Sequence, residues 1–252
     1  MNLLIIQARM GSTRFPGKVL AKIEDTPILK ILFDRVCESK YADQIVVATT
    51  ENNEDDCLES FCDNNGINVF RGSDWDVLDR FYNACLTTSS KPKNIIRVCS
   101  DNPLLSYYEI DYVFKAFLNS GMAYFSNSNQ EPNFLEDGFD VEVFTFNSLK
   151  SAWENAKLLS EREHVCPYIK SNFESAWEKV DGDYKYKLSV DTIDDFFLVK
   201  EIFKEFTNHS NFNIHDVVKL LKSKPQLLKI NKNSKINSGY LKSLINDRIV
   251  EK

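Results

Sequence analysis

The chain has 252 residues, of which 43% are hydrophobic and 27% charged, with a formal net charge of -6 at pH 7. That composition can bury a core, and its acidic balance excludes a bulk basic footprint for nucleic acid. No apolar run approaches the roughly 20 residues of a membrane span. The start MNLLIIQ lacks the basic flank of a secretion signal, so neither membrane insertion nor a nucleic-acid partner is expected, and the compartment read is the cytoplasm.

In chain order, Leu3 to Gln7 (LLIIQ) is an unalternated apolar run, as expected of a strand covered on both faces. A loop from Ala8 to Lys18 follows. Thr26-Pro27 offers an N-cap and a first-turn proline for a helix reaching Cys37. QIVVAT (44–49) reads as a second strand, Glu54 to Asn64 as a helix stopped by Gly66, and INVF (67–70) as a third strand. The alternation continues with a helix over Val77 to Cys85, a strand over NIIRVC (94–99) and a helix over Ile110 to Leu118. Met122 to Phe125 and Val141 to Phe146 read as strands. Leu149 to Leu159 and Glu163 to Ile169 read as helices, YKLSVD (186–191) as a strand, and Ile193 to Phe206 as a helix. Strand–helix alternation predicts an α/β sheet, largely parallel, and ligands of such sheets bind at the carboxyl ends of the strands. The tail after Lys222, rich in Lys, Asn and Ser, reads as an appended extension, giving a catalytic domain over 1–222 and an extension over 223–252.

The six cysteines form no CxxC pair, and the three histidines supply no zinc spacing. The cysteines read as small core residues of a reducing compartment.

The loop QARMGSTRFPGKVL sets Arg9, Arg14 and Lys18 among Gly11, Ser12 and Gly17, at the end of the first strand. Cations and close-approaching backbone N–H groups suit a polyphosphate. A basic surface loop with turn glycines has the same composition, and its place after a buried strand favours the anion. It is not a Walker A loop, since five residues separate Gly11 from Gly17 and Val19 follows Lys18.

Asp101 follows the strand NIIRVC, and Asp191 ends YKLSV. Taken singly, Asp101 reads as an Asx turn before Pro103 and Asp191 as the N-cap of the next helix. Taken with the cationic loop, the pair reads as a Mg²⁺ site shared with substrate phosphates.

IIQARMGSTRFPGKVL resembles the signature of the cytidylyltransferase family, in its spore-coat polysaccharide branch, which is similar to CMP-ketodeoxyoctonate and CMP-acylneuraminate synthetases. The resemblance runs on through IVVATTENNEDD, VFRGSDWDVLDRFYNA, DGFDVEVF, SEREHVCPYI, SVDTIDD and KINSGYLKSL, covering essentially the whole chain. It implies a Rossmann-like nucleotidyltransferase fold, with a mostly parallel central sheet flanked by helices. It also implies CTP as donor, a small acidic or sugar-like acceptor, Mg²⁺, and a homodimer.

By the same resemblance, Ala8, Arg9, Gly11, Ser12, Arg14 and Lys18 hold the triphosphate, and Thr49, Thr50, Asp79 and Arg80 approach the cytidine. Asp101 and Asp191 are implied as metal ligands and, with Arg9 and Lys18, as the catalytic set. Asp140, Glu142, Glu163 and His164 are implied to line the acceptor pocket. For Glu163 a second reading stands, as the partner of Ser160 in a capping box. His209 and His215 have no such context, and Asp194-Asp195 suits a helix start without chemistry. Two other functions stay open: a nucleotide-sugar-dependent glycosyltransferase, whose Asp-x-Asp spelling occurs at Asp181 to Asp183, and a nucleotide-binding regulatory protein without turnover.

Overall fold

The computed structural model describes residues 1–128, 137–177, 186–207, 211–235 and 243–250. Its elements run β1 (Asn2–Gln7), β2 (Lys22–Ile23), β3 (Thr26–Pro27), α1 (Ile28–Val36), β4 (Gln44–Thr50), α2 (Asp56–Asn64), β5 (Val69–Gly72), α3 (Val77–Leu86) and β6 (Asn94–Cys99). They continue with α4 (Tyr107–Ser120), β7 (Tyr124–Ser126), β8 (Glu142–Thr145), α5 (Phe146–Asn155), α6 (Leu159–His164), α7 (Pro167–Asn172), β9 (Ser175–Trp177), α8 (Ile193–Lys204) and α9 (Ile214–Ser223).

Seven strands form one sheet in the order β5-β4-β1-β6-β8-β7-β9. β5, β4, β1 and β6 are parallel, while β8 runs antiparallel between β6 and β7. The apolar run of β1 is explained by its place. Leu4 and Ile6 enter a core shared with α1, α4, α8 and α9, and Leu3 and Ile5 enter the opposite core under α3, α5 and α7. β1 has β4 on one side and β6 on the other, and the helices that follow β1 and β4 cover the face opposite to the one α3 covers. Such a reversal opens a crevice above the strand ends. No helix among the described residues is long and apolar enough to cross a membrane.

Several sequence expectations are corrected. Thr26 is not a helix cap: Thr26–Pro27 pairs with Lys22–Ile23 in a two-residue ribbon, and α1 begins after it. The third strand is shifted to Val69–Gly72, because its register on β4 starts at Val47↔Val69. α5 starts and ends earlier than expected, with the Thr145 hydroxyl accepting from Ser148 N at its start. The helix expected over 163–169 is broken at Val165, whose φ of 68° ends α6. A β-branched residue is costly in that region. Residues 186–191 join no ladder: Lys187 makes a single bridge with Asp137, Leu188 N donates to the Asp137 carbonyl, and the chain bends at Ser189.

Part of the tail packs back on the body. Asn231 donates from Nδ2 to the Lys187 carbonyl and to Asp195 Oδ1, each at 2.8 Å. Asp247 accepts from Ser160 N and Oγ at 3.0 and 2.6 Å, at the start of α6.

Candidate active site

A cleft of about 490 Å³ opens above the carboxyl ends of β1 and β6. Its lining brings together Gln7, Ala8, Arg9, Ser12, Arg14 and Lys18 from the first strand and loop, Cys99, Ser100 and Asp101 from β6, and Asp191.

The loop is shaped at Met10. The Met10 carbonyl accepts from Ser12 N at 2.8 Å and Gly17 N at 3.0 Å, so the chain folds back over itself. Its own N–H donates to Asp55 Oδ1 at 2.6 Å. Gly17 takes φ 71°, the left-handed region that glycine adopts without strain. The short 3₁₀ turn after it sends Lys18 inward. Gly11 lies against the Glu54 carboxylate, which would have to swing aside for a Cβ there.

Lys18 has three N–H donors and finds three acceptors. Its Nζ donates to Asp101 Oδ2 at 2.7 Å, to the Val190 carbonyl at 2.7 Å and to Asp191 Oδ1 at 3.1 Å. Burial alone would lower its pKa, and the two carboxylates outweigh that and raise it. Asp191 also takes Arg14 on Oδ1 at 2.9 Å and Lys187 on Oδ2 at 3.0 Å. Burial would push its carboxyl up, but Lys18, Lys187 and Arg14 bring it down to about 2. Arg9, at the exposed rim, pairs with Asp74 at 2.8 Å.

The simpler readings of both aspartates lose their support. α8 is capped by Thr192, whose hydroxyl accepts from Asp195 N, and Asp195 in turn accepts from Thr192 N. Asp191 is therefore not the cap. Asp101 gives its carboxylate to Lys18, while its carbonyl accepts from Val190 N at 2.8 Å and joins the end of β6 to the 186–191 segment.

Two carboxylates from separate segments thus meet within hydrogen-bond reach of one cation. Such hard oxygen donors suit Mg²⁺, which keeps waters and shares substrate phosphates. Among the described residues no cluster of three metal-ligating side chains occurs. The residues present fit a divalent ion held jointly with a polyanion.

The other expected residues fall into separate groups. Thr50 lies buried at the end of β4, its hydroxyl and N–H both given to Asp55. It braces the loop through Asp55 rather than facing the cleft. Thr49 is buried, and its hydroxyl has no hydrogen bond among the described residues. Asp79 is not among the residues lining the cleft: it accepts from Trp153 Nε1 at 2.7 Å and Asn83 Nδ2 at 2.9 Å. Arg80 is 1% exposed, with Nε and one terminal nitrogen lacking a partner among the described residues. Burial, reinforced by nearby Arg9, lowers its pKa to about 10.

Glu142 in β8 is bound on all sides. Arg97 of β6 pairs with it directly, Tyr124 donates its hydroxyl at 2.7 Å, and Lys170 lies at 3.1 Å. Burial would raise its pKa, but Lys170 and Arg97 hold it far below the usual carboxylate range. Arg97 also donates to Gln7 Oε1 at 3.0 Å, which links this cluster to the cleft lining. Asp140 lies before β8, and burial together with the nearby Asp137 pushes its carboxyl up to about 7. His164 ends α6 beside the Arg97–Glu142–Lys170 cluster, and its pKa is lowered mainly by burial. Glu163 accepts from Ser243 Oγ at 2.8 Å. The capping box expected of Ser160 and Glu163 lies two residues earlier: Glu161 accepts from Leu158 N and Lys157 N at 3.0 and 2.9 Å. His215 is at the start of α9, with its ring edge-on to Tyr108. His209 and the Asp181–Asp183 spelling lie outside the described residues.

Sequence reasoning missed Asp55 and Lys187. Asp55 sits in the acidic run ENNEDD, where its neighbours mask it. Lys187 precedes Asp191 by four residues in a segment that reads as a strand, which gives no sign that its ammonium returns to Asp191.

A family model described as Cytidylyltransferase matches residues 3–235. An uncharacterised protein of Methanocaldococcus jannaschii is 42% identical over 235 residues, covering 91% of this chain and 93% of its own. The spore coat polysaccharide biosynthesis protein SpsF of Bacillus subtilis is 32% identical over 234 residues, covering 88% and 95%. The solved structure of a cytidylyltransferase from Leptospira borgpetersenii superposes with a TM-score of 0.84 at 33% identity, covering 93% of this chain and 98% of that one.

Proposed function

We infer that this chain, which belongs to the cytidylyltransferase family, moves CMP from CTP to a small acidic or sugar-like acceptor and releases pyrophosphate. The observation that carries the reading is the meeting of Lys18, Asp101 and Asp191 in a cleft rimmed by Arg9, Ser12 and Arg14. Transfer of this type asks a protein mainly for positioning and charge neutralisation.

Arg9 and Arg14 would take triphosphate oxygens from the rim, where guanidinium forks match phosphate geometry. Both are ion-paired to carboxylates in this structure, and a polyanion offers each a stronger acceptor. Lys18 keeps Asp101 and Asp191 together, and the two carboxylates would hold Mg²⁺. When bound, Mg²⁺ supplies charge neutralisation at the phosphate oxygens. An acceptor oxygen then bonds to the α-phosphorus, the bond to the bridging oxygen breaks, and pyrophosphate departs. The acceptor supplies the nucleophile, either an ionised oxygen or a hydroxyl that passes its proton to water, so no enzyme nucleophile is needed.

Arg80 would donate to a carbonyl acceptor of the pyrimidine, since its buried N–H groups lack partners among the described residues. Asp140 and His164 are the acceptor-side groups whose protonation is shifted by their surroundings. Glu142 would act by fixing Arg97 and Lys170, and Glu163 by holding α6. The likeness to SpsF supports a place in surface polysaccharide or glycoconjugate biosynthesis.

Pyrophosphate release on mixing the protein with CTP, Mg²⁺ and a panel of sugar acids and phosphorylated small molecules tests the reading. CTP should be preferred over UTP, ATP and GTP. Preference for another triphosphate would defeat the CTP assignment. Transfer from a nucleotide-sugar, with no pyrophosphate from any triphosphate, would overturn the reaction class.

A further inference from the structure

The geometry points to Lys187 as a positioning residue that turns one carboxylate oxygen of Asp191 toward the cleft. This rests on the reading of Asp191 given above.

The two oxygens of Asp191 have different partners. Oδ1 takes Arg14 at 2.9 Å and Lys18 at 3.1 Å, both residues of the cleft lining. Oδ2 takes Lys187 at 3.0 Å, and Lys187 does not line the cleft. The main chain at this point is already fixed, because Asp191 N donates to Asp195 Oδ2. The carboxylate torsion has a broad, roughly two-fold profile, so Arg14 and Lys18 on one oxygen do not by themselves set the plane of the group. A buried cation on Oδ2 sets it and keeps Oδ1 facing the substrate side.

Lys187 is itself fixed. Its side chain is 5% exposed, and its ammonium donates to the Ser189 carbonyl at 3.0 Å and the Ser189 hydroxyl. It also pairs with Asp137 Oδ2 at 2.8 Å. Asp137 is held in turn by Ser189 N and Oγ at 3.2 and 2.6 Å. The two segments approach so closely that a Cβ on Gly138 would lie 2.6 Å from the Leu188 carbonyl carbon. The segment leading to Asp140, on the acceptor side, and the carboxylate at the cleft therefore share one anchor. Outer partners that orient a metal-binding carboxylate change metal affinity by about 10–100-fold when removed.

A role in charge balance alone would give the opposite sign. Removing a cation next to a carboxylate makes the site more negative, so a divalent ion would bind more tightly. The experiment is a titration of Mn²⁺ into protein plus CTP without acceptor, following free Mn²⁺ by electron paramagnetic resonance. It compares wild type, Lys187→Met, Lys187→Arg, Asp137→Asn and Asp191→Asn, with melting temperature recorded for each. Asp191→Asn and Lys187→Met are expected to weaken Mn²⁺ binding by about 10–100-fold. Asp137→Asn should act in the same direction by a smaller factor, and Lys187→Arg should recover most of the affinity. Wild-type or tighter binding in Lys187→Met, with weakened binding in Asp191→Asn, overturns the positioning role and leaves the reading of Asp191 intact. Wild-type binding in Asp191→Asn removes that reading, and this inference with it. Should Lys187→Met fail to fold, the charge-neutral Ser189→Ala, which removes the hydroxyl that accepts from Lys187 and donates to Asp137, decides in its place, and unchanged affinity there overturns the proposal.

Discussion

Lys18 and Asp101 stand 83 residues apart in the chain and 2.7 Å apart in space. The contact joins the first loop to the end of β6, and through the same ammonium it reaches Asp191. Three distant segments are thereby brought to one point by one side chain, which gives the loop cations unequal parts.

Lys18→Met should lower both stability and CTP affinity. It leaves two part-buried carboxylates facing each other, at a cost of about 1–3 kcal/mol. Arg14→Ala removes a side chain that is 42% exposed and should leave the melting temperature unchanged. Its effect should fall on CTP, where a charge-assisted hydrogen bond contributes ~1.5–3 kcal/mol. Calorimetric titration with CTP and thermal melts on both variants check this. Equal loss of stability in the two would contradict the division of roles.

Asp55→Ala should disable the loop without touching the cleft. Asp55 is fully buried and accepts from Met10 N, Thr50 N and the Thr50 hydroxyl. Its removal leaves three donors without their acceptor, each worth about 1–3 kcal/mol. A melting shift of about 2–4 °C per kcal/mol is expected for a chain of this size. CTP affinity should fall with it. A stable variant with normal CTP binding would show that the Met10 anchor does not shape the site.

Two aspartates should give opposite pH dependences of stability. Asp191 sits at about 2 in the folded protein, below the unfolded value of about 4. The folded state binds fewer protons there, so its contribution is complete above about pH 4 and is lost as pH falls toward 2. Asp140 sits at about 7, above its unfolded value. The folded state keeps a proton that the unfolded chain releases, so stability declines as pH rises from about 4 to 7. Asp191→Asn should flatten the acid limb, and Asp140→Asn should flatten the decline toward neutrality. Melting temperatures from about pH 2 to 8 test both, and parallel curves for wild type and variants would contradict the assigned surroundings.

The sheet was legible in the sequence because its strands are buried on both faces. LLIIQ and NIIRVC carry unbroken apolar runs for that reason, and their polar successors mark the end where ligands bind. The cleft residues are singled out by their position after buried strands together with the family resemblance, and Arg9, Ser12, Arg14, Lys18, Asp101 and Asp191 all line one space. Residues that depend on long-range side-chain partners were not legible. Asp79 resembles a site residue in sequence, and only the fold shows its carboxylate committed to Trp153. Glu142 alternates correctly with Asp140, yet register sets it against Arg97 across β6. The 186–191 segment has a strand's alternation because Leu188 and Val190 enter the apolar core, while Lys187 and Ser189, also buried, turn to polar partners. Periodicity reports which residues face the apolar core, and that does not require a ladder partner.

The most direct measurement is the rate of pyrophosphate release against Mg²⁺ concentration for Asp101→Asn and Asp191→Asn, with melting temperatures from the same preparations. Neither residue caps a helix in this structure, since Thr192 caps α8 and Ser106 caps α4. The substitutions keep the side-chain shape and should leave the chain folded, with lower melting temperatures because ion pairs to Lys18, and for Asp191 also to Arg14 and Lys187, are given up. Each variant is expected to need far more Mg²⁺ and to turn over at a small fraction of the wild-type rate even at saturation. Near-normal rates at ordinary Mg²⁺ in both folded variants would contradict the assignment of the two carboxylates.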